Sequence, residues 1–146
     1  MSIDRAKVLQ NAQKYLAKGQ LDKAIAEYNK LVKDQPKDAR ILLKVGDIYT
    51  RKGDTAEACH TYHQVADLYA DQGFFLKAVA VYKQILKLDS NQLEALRRLG
   101  EMYEMLSLVS DALSTYKVLV TVLERAGKHE DALEVMARMS RLDPKN

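Results

Sequence analysis

Apolar residues recur at spacings of three and four along nearly the whole chain, the period of an amphipathic helix and not of a strand. The stretch Tyr15–Pro36, YLAKGQLDKAIAEYNKLVKDQP, sets the pattern. Tyr15 closes a first helix, Gly19 turns the chain with a positive φ that a side chain would resist, and Asp22 is placed to cap a second helix. Ala24, Tyr28 and Leu31 share one face of that second helix. A small residue followed four later by an aromatic lets two helices approach closely, and Pro36 ends the run. The spacing predicts helices over about 4–18, 21–34, 39–52, 55–72, 74–88, 92–106, 108–126 and 128–141. The intervening connections are short, so successive helices are expected to pack antiparallel.

The same spacing returns in fixed phase. Val45-Gly46-x-x-Tyr49, Gly53 and Ala58 with Tyr62 restate the first unit at an offset of 34, and Tyr69, Gly73, Ala78 and Tyr82 restate it at 54. Leu99-Gly100-x-x-Tyr103, Ala112 with Tyr116, and Gly127 with Ala132 follow. The offsets alternate between 34 and 20, so the helices near 55–72 and 108–126 must each close one hairpin and open the next. Residues 5–38 form a first hairpin, and 39–92 and 93–146 align without a gap as two copies of a three-helix, 54-residue unit. A repeat of this kind outranks local propensity as evidence. Residues 1–146 are expected to form one repeat domain. No polar capping helix follows the closing DPKN, which suggests part of a longer protein or an end covered by a partner. Helix 128–141 is then the least stable element, with Met136 and Met139 partly exposed.

Composition narrows the function. The net charge is +3, and residues 1–38, 39–92 and 93–146 carry eight basic and five acidic, seven and six, and eight and nine groups. No segment is a strong polycation, which argues against nucleic acid as a partner. Asp4, Arg5 and Lys7 interrupt the opening where a leader peptide would need an apolar core, and no apolar run approaches ~18 residues. The expectation is a cytoplasmic protein without membrane insertion. The single cysteine, Cys59, occupies the slot filled elsewhere by Ile25, Val79, Leu113 and Leu133 and reads as a buried small hydrophobe.

Candidate chemistry is sparse. Each glycine stands alone, so no phosphate-binding loop is present, and no nucleophile or zinc-protease motif occurs. Glu130 and Asp131 lie at a helix start, where they favour the dipole rather than acid catalysis. No enzymatic activity and no cofactor are expected. His60, His63 and Asp67 share one helix face and are the one candidate set for zinc or nickel, weighed against an ordinary solvated face.

Leu99-Gly100-x-x-Tyr103, Ala112-x-x-x-Tyr116 and Ala24-x-x-x-Tyr28 with Pro36 resemble the tetratricopeptide repeat family, in its bacterial-type form, over about residues 5–144. Val8, Leu42 and Leu96 stand where that family carries tryptophan, and Ser107 replaces a turn glycine. The resemblance implies an all-α, right-handed superhelical solenoid of antiparallel helix hairpins, about eight helices long, that binds another protein or peptide segment on its concave wall. By resemblance, groove residues are Gln10, Gln13, Ala17, Arg40, Lys44, Asp47, Arg51, Arg97, Arg98, Glu101 and Met105, joined by His63, Gln64 and Asp67 if the middle helix faces the groove. The family's carboxylate clamp is largely absent, since Leu9 and Gln13 hold its early slots. A second surface is apolar at polar slots: Phe74 and Leu76 in one turn, Leu106 and Leu108 in another, suggesting a contact edge. An adaptor or scaffold is therefore expected. The alternatives are a self-assembling homo-oligomer using that edge or the open C-terminal face, and a chaperone for a secreted or assembled client.

Overall fold

Five turns are built alike, and each depends on one residue in the left-handed region. Gly19, Gly53, Gly73 and Gly127 have φ of 73°, 86°, 82° and 76°, while Ser107 holds the same conformation at 59°. Only glycine reaches this region without crowding Cβ against its own carbonyl, which is why four of the five are glycine. The next residue then donates its amide back across the turn: Gln20 to the Tyr15 carbonyl at 2.9 Å, Asp54 to Tyr49 at 3.0 Å, and Phe74 to Tyr69, Leu108 to Tyr103 and Lys128 to Leu123 at 2.8 Å. This closure satisfies the last carbonyls of one helix and starts the next helix at once.

The computed structural model describes residues 3–145; Met1, Ser2 and Asn146 of the expected 1–146 domain lie outside them. Eight helices are present among the described residues: α1 (Arg5–Ala17), α2 (Leu21–Asp34), α3 (Ala39–Lys52), α4 (Thr55–Asp71), α5 (Phe75–Leu88), α6 (Leu93–Met105), α7 (Val109–Arg125) and α8 (His129–Leu142). There is no strand among the described residues. The class is the all-α hairpin fold read from the periodicity, with helix ends within a residue or so of expectation. Asp4 caps α1 by accepting the Lys7 amide, and Asp38 caps α3 through Arg40. Asp22 does not cap α2. The turn runs directly into the helix, so Gln20 takes the N-cap position and Asp22 falls in the first turn. There its charge still favours the dipole, and it pairs with Lys52 at 2.7 Å.

The chain divides into two compact units after Leu68, inside α4. In the first, Ala12, Ala24, Ile25, Tyr28, Leu31, Ile41, Val45 and Ile48 form the core, with Val8, Leu9 and Leu16 packed against it. Arg5 ties α1 to Asp34 at 2.8 Å and Asp38 at 3.4 Å. Gly46 lies under the Tyr62 ring, where an added Cβ would sit 2.6 Å from Cε1. That absence of a side chain is what lets α3 and α4 meet. Cys59 is buried, like Ile25 in the same repeat slot.

In the second unit, Gly100 lies under the Tyr116 ring in the same way. Helix α7 packs against both α6 and α8, so it closes one hairpin and opens the next. The last hairpin departs from the others. Ala12 with Tyr28, Gly46 with Tyr62 and Gly100 with Tyr116 become Val120 with Met136. This pair is bulkier at the small position, and Met136 is partly exposed. Leu133, expected in the buried slot of Cys59, is instead 63% exposed, and Leu113 is half-buried.

Candidate functional site

Helices α1 and α3 of the first unit carry the candidate groove residues on their exposed sides: Gln10, Gln13 and Ala17 on one, Arg40, Lys44, Asp47 and Arg51 on the other. Between them lies a recess of about 190 Å³, lined by Leu16, Tyr28, Lys44, Asp47, Ile48 and Arg51. Its lining combines apolar Leu16 and Ile48, the tyrosine of α2, and charged heads from α3. Asp47 is already committed: it accepts the Tyr62 hydroxyl at 2.5 Å, and Thr50 Oγ1 lies 3.2 Å from the same hydroxyl. Lys44 and Arg51 are different. Both are exposed and neither forms an ion pair or hydrogen bond among the described residues. The Tyr28 side chain is buried, which raises its phenol above the usual range, yet its hydroxyl has no hydrogen-bond partner among the described residues. Arg40 stays near Asp38, its Nε 3.7 Å from the carboxylate.

Of the groove residues expected from the second unit, Arg98 and Glu101 are occupied within the protein, while Arg97 lies 3.8 Å from Glu94 and Met105 is exposed. Arg98 Nε donates to the Tyr82 hydroxyl at 3.2 Å and Nη1 to Glu101 at 2.9 Å. Burial opposes the Arg98 charge, but those two partners outweigh it and hold the guanidinium firmly protonated. Two further residues, Glu104 and Arg138, escaped the sequence reading. The Tyr116 hydroxyl donates to Glu104, Arg138 Nε donates to the same carboxylate at 2.7 Å, and the guanidinium stacks 5.7 Å over the Tyr116 ring. Burial, then Glu104, raises the Tyr116 phenol. The available signal was Glu104 itself, which holds the repeat position of Thr50, the residue beside the Tyr62 hydroxyl.

The middle-helix candidates give little. Gln64 and Asp67 are exposed and His63 is half-buried; His63 and Asp67 both take part in interactions within the protein. No group of three or more histidine, cysteine, aspartate or glutamate side chains among the described residues could hold a metal ion, and this overturns His60, His63 and Asp67 as a candidate centre. Positions seven apart on a helix are separated by about 10 Å along its axis, too far to converge on an ion with ligands at about 2 Å. No helix of the described residues is long and apolar enough to cross a membrane. At the apolar edge, Phe74, Leu76 and Leu108 are exposed and Leu106 is half-buried. Phe74 does not fold under its neighbours; the Lys77 ammonium covers its ring at 5.0 Å and the Tyr69 ring at 5.6 Å.

No curated protein sequence matches the chain. Among solved structures, the TPR2B domain of yeast Sti1 in its pHsp70 complex is 18% identical over 99% of this chain and 100% of that one, with a TM-score of 0.53. At that identity the likeness shows the fold alone. MamA from Desulfovibrio magneticus is 15% identical over 100% of this chain and 99% of that one, TM-score 0.41. A thermophilic TPR protein of Thermus thermophilus is 16% identical over 97% and 93%, TM-score 0.37. Family models described as TPR repeat match residues 12–53, as tetratricopeptide repeat 40–71 and 64–121, and as PPR repeat 114–143. Three of these matches run without interruption from 12 to 121, over the same glycine turns and glycine–tyrosine contacts that build both units: the chain belongs to the tetratricopeptide repeat family.

Proposed function

We propose that this protein is a non-catalytic adaptor whose first unit binds an extended segment of another protein between α1 and α3. Interaction scaffolding is the function class that the repeat family supports, and Sti1 TPR2B is solved as a pHsp70 complex. One observation carries the assignment to this groove. Tyr28 lines the recess with an unpartnered hydroxyl, beside a lysine and an arginine that have no counterion. A phenol with no partner in its own chain is free to donate to an acceptor on a ligand, and a hydrogen bond to a charged acceptor is the stronger kind. The fitting segment is polar and acidic, with one aliphatic side chain over Leu16 and Ile48. Gln10 and Gln13 add no charge on the α1 side, so steering comes from α3.

The test is affinity capture from lysate of the source cells with the immobilised protein, read by mass spectrometry. A partner held by the wild type and by Arg98→Ala, and lost with Lys44→Glu/Arg51→Glu, supports the reading. A partner that ignores the double substitution but disappears with Arg98→Ala contradicts it.

A further inference from the structure

The two units share one backbone frame at their turn edges, and its chemistry is opposite in the two. Gln20, Asp22, Lys52 and Asp54 line the edge of the first unit, where Asp22 and Lys52 form an ion pair at 2.7 Å. Adding 54 to each number gives Phe74, Leu76, Leu106 and Leu108 in the second unit. The frame is therefore stable with polar residues, and apolar ones are not demanded by the fold. Part of the Phe74 contact belongs to the turn itself, since this closure favours an apolar residue against the side chain at the far end of its hydrogen bond, here Tyr69. Leu76 has no such explanation and is 69% exposed; Phe74 is 50% and Leu108 40% exposed, and Val109, next to Leu108 in the chain, is 40% exposed. Every exposed large hydrophobic residue among the described residues lies in the second unit. Asp22 and Lys52 meet at 2.7 Å in the first unit, and their counterparts in the second are Leu76 and Leu106; exposed apolar residues at such a site mark a contact surface.

We propose that this edge is where two copies of the chain associate about a twofold axis, the start of α5 in one protomer lying on the start of α7 in its partner. The charges favour a second copy over a foreign chain. Lys77 on α5 and Asp111 on α7 occupy the same repeat position, 34 residues apart, with opposite sign on the two sides of the apolar patch. A twofold interface brings each residue i onto j and each j onto i, so the pair is satisfied twice without any other protein. The Asp111 carboxylate has no ion-pair partner among the described residues, and Lys77 only faces two rings. The apolar edge offers a handful of residues, against about 20–30 a side in a standard interface, so the association is weak, with a dissociation constant in the micromolar range or above.

Sedimentation velocity across about 1 µM to 1 mM tests this. The mass should rise from monomer toward dimer with concentration. Leu76→Asp/Leu106→Lys installs the first unit's own ion pair in the second and should leave a monomer throughout, with unchanged helical circular dichroism. Because Leu76 is exposed, Leu76→Asp alone provides the same arm without risk to folding. Lys77→Asp should weaken association about tenfold, and Lys77→Asp/Asp111→Lys should restore it. A wild type that stays monomeric at every concentration overturns the proposal, as does a dimer that Leu76→Asp leaves intact.

Discussion

Lys44 and Arg98 hold the same repeat position, 54 residues apart, beside the equivalent tyrosines Tyr28 and Tyr82. In the second unit the longer, planar guanidinium reaches a tyrosine hydroxyl and a carboxylate at once: Arg98 donates to Tyr82 and to Glu101, and the position is closed. In the first unit Lys44 stays in solvent, Tyr28 keeps an unpartnered hydroxyl, and a recess remains between them. Arginine presents five donors in a fixed fork, whereas lysine is a point charge on a flexible stem. One frame thus gives a structural tie in one unit and an open position in the other. The residue types alone, both cationic, do not distinguish them; the partners do.

The largest expected effect breaks this comparison directly. Arg98→Ala removes a charged hydrogen-bond pair from a half-buried setting and should destabilise the protein by about 2 kcal/mol, while Lys44→Ala should stay within about 0.5 kcal/mol. Urea denaturation of both variants reads the difference; equal losses would mean that Lys44 is as structural as Arg98. A smaller effect sharpens the contrast at the turns. Ser107 holds in the second unit the position that Gly53 holds in the first, and its side chain sits on a left-handed backbone. Ser107→Gly should therefore stabilise by about 1 kcal/mol, seen as a raised Tm. An unchanged or lowered Tm would show that the serine side chain compensates for the strain.

The elements were legible in the sequence because each rests on one local requirement repeated five times. A glycine at 19, 53, 73 or 127 marks a left-handed turn, and a small residue facing a tyrosine marks a helix contact, whatever surrounds them. Ser107 was placed in the same turn purely by phase. The site was less legible, since side-chain partners are set by reach across helices. Asp22 satisfied every local criterion for a cap and yet pairs with Lys52, on another helix. His60, His63 and Asp67 share a helix face without converging, because a common face fixes angle and not distance along the axis. Arg98 and Glu101, expected as groove charges, pair with each other, and Arg98 also reaches Tyr82, partners that repeat phase alone does not reveal. Lys44 and Arg51 kept their expected exposure, with no ion pair of their own among the described residues.

The most direct test of an open groove in the first unit uses another matched pair, Gln13 and Glu101, which are 88 residues apart at one repeat position. A benzophenone side chain placed at 13 in one variant and at 101 in another is irradiated in the presence of source-cell lysate. The account predicts a crosslinked partner from position 13, competed away by the unlabelled protein, and none from position 101. A specific partner from position 101 with none from 13 would contradict it.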